Sequence, residues 1–223
     1  MTSRTFVASV VEEIIAPGIQ RLMTGRYFTD LRNGTLSTSR LQGFALQHYL
    51  LNVAINKGFT LCMAKNAHNQ ELYDLFLHAF TEEQTHPDLM KRFGLAIGLT
   101  DEDFDEALPI FECQAHAAAI LRGMFLGSPA ESRTSALVNE SMVGRYAAEF
   151  DACLAGGEYG INDHDREFFT VHAVADQEHT ALAARVVERY CTTERDRRVV
   201  EHAARNMVRF KLAKFDGIYD AYE

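Results

Sequence analysis

The sequence predicts an all-α fold, a single-domain bundle of about seven helices across residues 1–223. Apolar residues recur at steps of three and four, the spacing of a helix with one buried face. No segment sustains the period-two alternation of a half-buried strand. Only 4 prolines and 14 glycines interrupt the 223 residues, so long helices meet few breakers. A first helix covers about 5–24, kinked or divided by Pro17, which has no N–H to donate. Arg32-Asn33-Gly34 is a turn. Ser37 or Thr38 N-caps a long helix to about residue 66. The next element spans about 70–97 and stops at Gly98. Residues 101–105 form a short acidic helical turn, and Pro109 opens a helix to about 125. Another runs over 132–154 and ends at Gly156-Gly157. Asn162 or Asp163 caps a helix to about 190, and Thr192 or Thr193 caps the last, to about 219. No repeat, low-complexity tract or linker divides the chain, so one domain is expected.

Composition narrows the function classes. Hydrophobic residues make up 47% and charged residues 24%, the balance of a globular protein and not of a disordered one. At this length folding buries about 70% of the unfolded chain's surface, so neither disulfide nor metal is needed to hold the fold. Lys and Arg number 22 against 31 Asp and Glu, a formal charge of −9 that suits a phosphate backbone poorly. Nucleic acid is not an expected partner. Cys62, Cys113, Cys153 and Cys191 stand apart with no CxxC pair, as reduced thiols do. The N-terminal apolar stretch is broken by Ser9 and stopped by Glu12 and Glu13, too short for a signal-peptide core. No run of about 20 apolar residues is present to span a membrane. A cytoplasmic location is expected.

Three segments carry chemistry. In His172-Ala-Val-Ala-Asp176-Gln-Glu-His179, helical geometry puts Asp176 about 40° from His172 and His179 about 20° to its other side. The three share a stripe with Phe168, Phe169, Ala175, Leu182 and Ala183, so the stripe points inward. Two imidazoles and a carboxylate in an apolar interior are costly unless paired. A metal ion pairs them, and the donor mixture suits Fe, Mn or Zn. The plainer reading is a hydrogen-bonded pair of core histidines salted to one Asp. In Thr81-Glu82-Glu83-Gln84-Thr85-His86-Pro87, either Glu83 with His86 or Glu82 with His86 has the i,i+3 or i,i+4 spacing of bundle-core metal sites. Pro87 clashes with the Glu83 carbonyl in a continuous helix and favours a break there. Glu149 shares a face with Val138, Met142, Arg145 and Cys153, and is either an inward carboxylate or an ordinary surface one. Together these are three His and three carboxylates from three helices, about what two metal ions with shared carboxylates require.

The other histidines are weaker. His48 borders the same cavity or belongs to the core. His68, His78, His116, His164 and His202 have no partner at helical spacing and read as surface. No Ser-His-Asp set, G-x-S-x-G or Gly-rich phosphate loop is present, and the sequence places no Arg at a cavity mouth. The aromatic stretch from Phe210 to Tyr222 reads as packing or as a dimer contact.

The chain resembles the heme-oxygenase-like diiron oxidases, a fold shared with thiaminase II and pyrroloquinoline-quinone synthase, over nearly its whole length. Glu82-Glu83 through Ile97-Gly98-Leu99 resembles the family's "EE…H…LW..F..ALG" helix, and Phe168-Phe169 through His172, Asp176 and His179 resembles "YF..H…D..H". The resemblance implies His86, Glu149, His172, Asp176 and His179 as iron ligands. It adds Glu82 or Glu83, left open because the Glu-to-His spacing here departs from the family's. It further implies two Fe ions per chain (the same donors can hold Mn), O2 and a small amino- or fatty-acid-like substrate as partners, and a homodimer. Outcomes in the family include N-oxygenation, oxidative cleavage and oxidation of the protein's own side chain. The alternatives are a metal-free thiaminase-like hydrolase with a Cys nucleophile, or a non-catalytic metal-containing interaction protein.

Overall fold

A computed structural model describes residues 2–156 and 158–223, the side chains of 174–178 excepted. All its regular elements are helical: α1 (Ser3–Val10), a π-helical turn (Val11–Ile15), α2 (Ala16–Met23), α3 (Arg26–Arg32), α4 (Thr38–Lys65), α5 (Gln70–Glu83), α6 (His86–Ala96), α7 (Asp101–Glu106), α8 (Phe111–Leu126), α9 (Pro129–Leu154), α10 (Glu167–Tyr190) and α11 (Glu194–Ala221). No helix among them is long and apolar enough to cross a membrane.

The expected helices are present, and their boundaries differ where local chemistry intervenes. Pro17 sits in the first turn of α2. It lacks the N–H that would reach the Glu13 carbonyl, and the π-helical turn absorbs the mismatch. Ser37 Oγ accepts from Arg40 N at 3.3 Å and starts α4. α9 starts three residues before the expected 132, capped by Ser128, which accepts from Glu131 N, with Pro129 in the first turn. Asn162 accepts from Asp165 N, which makes a preliminary turn. Regular helix starts only at Glu167, because Arg166 ties this corner to α9. Its guanidinium donates to the Ile161 carbonyl (2.8 Å), the Asp151 carbonyl (3.1 Å) and the carboxylates of Asp151 and Asp163. Gly98 ends the α6 turn with φ +95°, a conformation that costs a residue with a Cβ. α3 has no expected counterpart.

α9 and α10 pack along their length, and α4 lies between α5, α6 and α8. The centre of the core is aromatic. Tyr27, Phe28, Phe44, Tyr146, Phe150, Phe169 and Phe215 are each fully buried or nearly so. Phe150 on α9 stacks on Phe169 of α10 with centroids 4.7 Å apart. Phe44 of α4 lies 4.7 Å from Phe150 and 5.7 Å from Phe215 of α11. Each such ring contributes roughly 1.5–3 kcal/mol by burial. The cluster therefore fixes α4, α9, α10 and α11 against one another. The aromatic C-terminus is spent inside the chain. Phe215 is buried, Tyr219 lies under the guanidinium of Arg40, and the Tyr222 ring fills the space where a Cβ on Gly43 would stand.

A titratable pair, Lys214 and His48, lies in this core. Lys214 is fully buried and its Nζ donates to His48 Nδ1 at 2.6 Å. Burial pulls Lys214 from 10.5 down to about 8 and holds His48 well below its ordinary value. Between about pH 8 and 10.5 the unfolded chain therefore keeps a proton on Lys214 that the folded chain has released. Stability must then rise with pH across that window, by about 3 kcal/mol from this group. Lys214→Met is expected to lack that rise when urea melts at the two ends of the window are compared.

Candidate metal centre

The site is built where α5 breaks into α6. Glu83 is the last residue of α5 and His86 the first of α6, with Pro87 in its first turn. The break turns the two side chains together: Glu83 Oε2 lies 2.5 Å from His86 Nδ1. Asn56 of α4 donates to the Glu83 carbonyl at 3.2 Å, satisfying an acceptor the helix end leaves open.

α10 supplies two imidazoles spaced by two turns. His172 Nδ1 donates to the Phe168 carbonyl at 2.7 Å, so Nε2 keeps its lone pair. The His172 ring lies 4.4 Å from that of His86, and the Phe168 ring packs on both at 4.2 and 5.9 Å. His179 reaches two other helices, with Nε2 at 3.0 Å from Glu82 Oε2 and Nδ1 at 3.6 Å from Glu140 Oε2 on α9. Two donor groups result, each with ligand atoms within 4.8 Å of one another. One is Glu83, His86 and His172; the other is Glu83, Glu140 and His179. Glu83 belongs to both.

The electrostatics suit metal ligation. Burial and the nearby His86 hold His172 down to about 4, so it is a neutral imidazole. Burial favours a protonated Glu83, but the hydrogen bond and charge of His86 outweigh it and keep this carboxyl below its usual range. The hydrogen bond that His179 donates to Glu140 raises His179 to about 9, so this imidazole gives up a proton when it takes a metal. Imidazoles and carboxylates converging in this way are the donors of Fe, Mn and Zn, and two groups sharing a carboxylate are the bundle-core arrangement. The residues fit a pair of metal ions.

The structure brings together Glu82, Glu83, His86, His172 and His179 of the expected ligands. Asp176 lies outside the described residues. Glu149 is not brought in. Its Oε1 is 3.2 Å from Arg32 of α3 and its Oε2 2.9 Å from Arg145. The α9 carboxylate at the cluster is Glu140. Nine residues separate the two, about two and a half helical turns, so they face opposite sides of α9. His116, expected at the surface, is fully buried and contacts Asn139 Oδ1 at 3.2 Å. His78 contacts Glu82 Oε2 at 3.3 Å.

Beside the donor groups lies a cavity of about 120 Å³. Leu51, Ile55, Phe76, Ile120 and Val143 make its apolar wall, and Glu82, Glu83, Glu140, His172 and His179 also line it. Arg133 and Asn52 line it too, and sequence reasoning missed both. The four cysteines are free thiols, and none of them lines this cavity. Burial pushes the Cys113 thiol up to about 11, which leaves a nucleophilic thiolate without support.

The profile of a family described as iron-containing redox enzyme matches residues 42–211. A 4-aminobenzoate synthase of Nitrosomonas europaea is 27% identical, covering 100% of this chain and 94% of its own. Another, of Chlamydia trachomatis, is 24% identical over 80% of this chain and 78% of its own. Among solved structures, a domain of unknown function with a heme oxygenase-like fold from Shewanella denitrificans superposes with a TM-score of 0.84 at 15% identity, covering 96% of this chain and 92% of that one. A TenA homolog from Pseudomonas syringae does so with 0.79 at 14% identity, covering 96% and 93%. The fold is therefore heme-oxygenase-like.

Proposed function

Since the chain belongs to the iron-containing redox enzyme family, we propose that it is a non-heme diiron oxidase or oxygenase that uses O2 to oxidise or cleave a small amine- or carboxylate-bearing metabolite. The observation that supports this most is Glu83, one carboxylate common to two donor groups. His86 and His172 complete one iron site, and Glu140 and His179 the other. Asp176 joins them by the sequence resemblance. The relatives named for 4-aminobenzoate synthesis make a compound with both an amine and a carboxylate, and a product of that class is the first to seek here.

Iron held by Glu83, His86, His172, Glu140 and His179 would supply the redox chemistry that reduces O2. The protein's own residues do the rest. The Phe168 carbonyl fixes the His172 tautomer, and the Phe168 ring holds both buried imidazoles in place. The apolar wall of the cavity excludes water from reactive oxygen species. Glu82, 38% exposed and touching both His179 and the more exposed His78, carries protons between solvent and the site.

Oxygen uptake tests the proposal. Ferrous-loaded protein with a reductant and a panel of amino acids and fatty acids is expected to consume O2 and form an oxidised product, while His172→Ala does neither. A fully iron-loaded protein that consumes no O2 across the panel would instead mark a non-catalytic metal protein.

A further inference from the structure

The cavity wall carries hydrogen-bond donors that have no acceptor. Arg133 is 7% exposed, yet it has no hydrogen bond or ion pair among the described residues, and its buried Nε lacks an acceptor. Asn52 of α4, on the same cavity, has a buried Nδ2 that likewise donates to nothing. An unpaired buried guanidinium is costly, and structural arginines avoid the state. Arg166, equally buried at 6% exposed, has four acceptors at the α9–α10 corner. Glu140 acts on Arg133 through space without contacting it, so among the described residues Arg133 is a cation with no contacting counter-charge, a place a ligand's charge fits.

Its position says where that charge lies. Arg133 and Glu140 are seven residues apart on α9, about 20° from the same face, with Cα atoms on the order of 10 Å apart along the helix. Ala136 lies between them and Val143 about one turn beyond Glu140, and both line the cavity with its apolar wall. Planar guanidinium suits a carboxylate bidentately.

We propose that Arg133, assisted by Asn52, is the subsite that holds the substrate's carboxylate away from the metal ligands, so that the substrate is a monocarboxylate whose oxidised group lies several bonds from its carboxylate, across an apolar chain or ring. The orientation toward Glu140 and His179 rests on the diiron reading; the carboxylate subsite does not.

Calorimetry on the protein as purified, with iron content recorded, tests it using benzoate and hexanoate against their neutral amides. Wild type is expected to bind each carboxylate at least about tenfold more tightly than its amide. Arg133→Gln is expected to lose that preference, to bind the amides as wild type does and to retain its iron. Arg133→Lys restores part of the preference. Ligand-free Arg133→Gln is expected to melt no lower than wild type, since an unpaired buried charge is removed; a merely structural arginine gives a drop. The proposal is overturned if wild type binds carboxylate and amide alike, or binds neither, or if iron-replete Arg133→Gln binds benzoate unchanged. A carboxylate preference that persists in iron-poor His172→Ala protein keeps the subsite even where the diiron reading fails.

Discussion

Glu140→Ala is expected to leave the protein with roughly half its iron or less, while Glu149→Ala keeps the full load. Glu140 is an oxygen donor of the group formed with Glu83 and His179, and no other described carboxylate of α9 approaches that group. On the diiron reading its loss removes one of the three described donors of that group. Glu149 lies on the far side of α9, bound to Arg32 and Arg145, two side chains that are 37% and 49% exposed. Removing it breaks ion pairs at a partly wet surface, a change of about 1 kcal/mol or less in stability. Metal analysis of the two variants, with melting temperatures alongside, checks this. Equal iron losses would put Glu149 back among the ligands.

Glu83→Ala is expected to have a larger effect still. Because Glu83 is common to both donor groups, its removal is expected to empty both sites, to a residue of roughly a tenth of the wild-type iron. Glu82→Ala is expected to keep most of the iron, since Glu82 touches His179 from a half-exposed position and belongs to neither group. The same ferrous titration on the two variants separates them, and equal mild losses would remove this corner of α5 from the centre.

Much of this was legible in the sequence, for physical reasons that also explain what was not. The long helices announce themselves because each buries one face, and Ser37 and Thr193 mark their starts by capping. His172 and His179 were legible because two turns on a continuous helix fix their relation. Glu83 and His86 were harder, since Pro87 makes the spacing that of a corner and not of a helix. α9 misled for the opposite reason. It is buried almost all round, at Arg133, Thr134, Leu137, Val138, Met142, Val143, Tyr146 and Phe150 among others. A helix so enclosed has no apolar stripe to say which carboxylate points inward. The available signal was the polar run Asn139-Glu140-Ser141 in the middle of an apolar helix, in line with Ala136, Val143 and Ala147. Glu149 was tempting beside small residues, but its partner Arg32 sits on α3, a seven-residue helix that no periodicity reveals. Arg133 was hidden similarly. A buried unpaired cation follows from tertiary packing, and nothing in its sequence neighbours records it.

The most direct measurement on the centre is the reference titration itself: metal-depleted wild-type protein loaded anaerobically with ferrous iron, bound iron counted, and absorbance followed as O2 is admitted. Two donor groups sharing Glu83 predict about two irons per chain and a transient visible band on oxidation. No stoichiometric iron, with His172→Ala and His179→Ala indistinguishable from wild type, would contradict the account and reduce these histidines to packing.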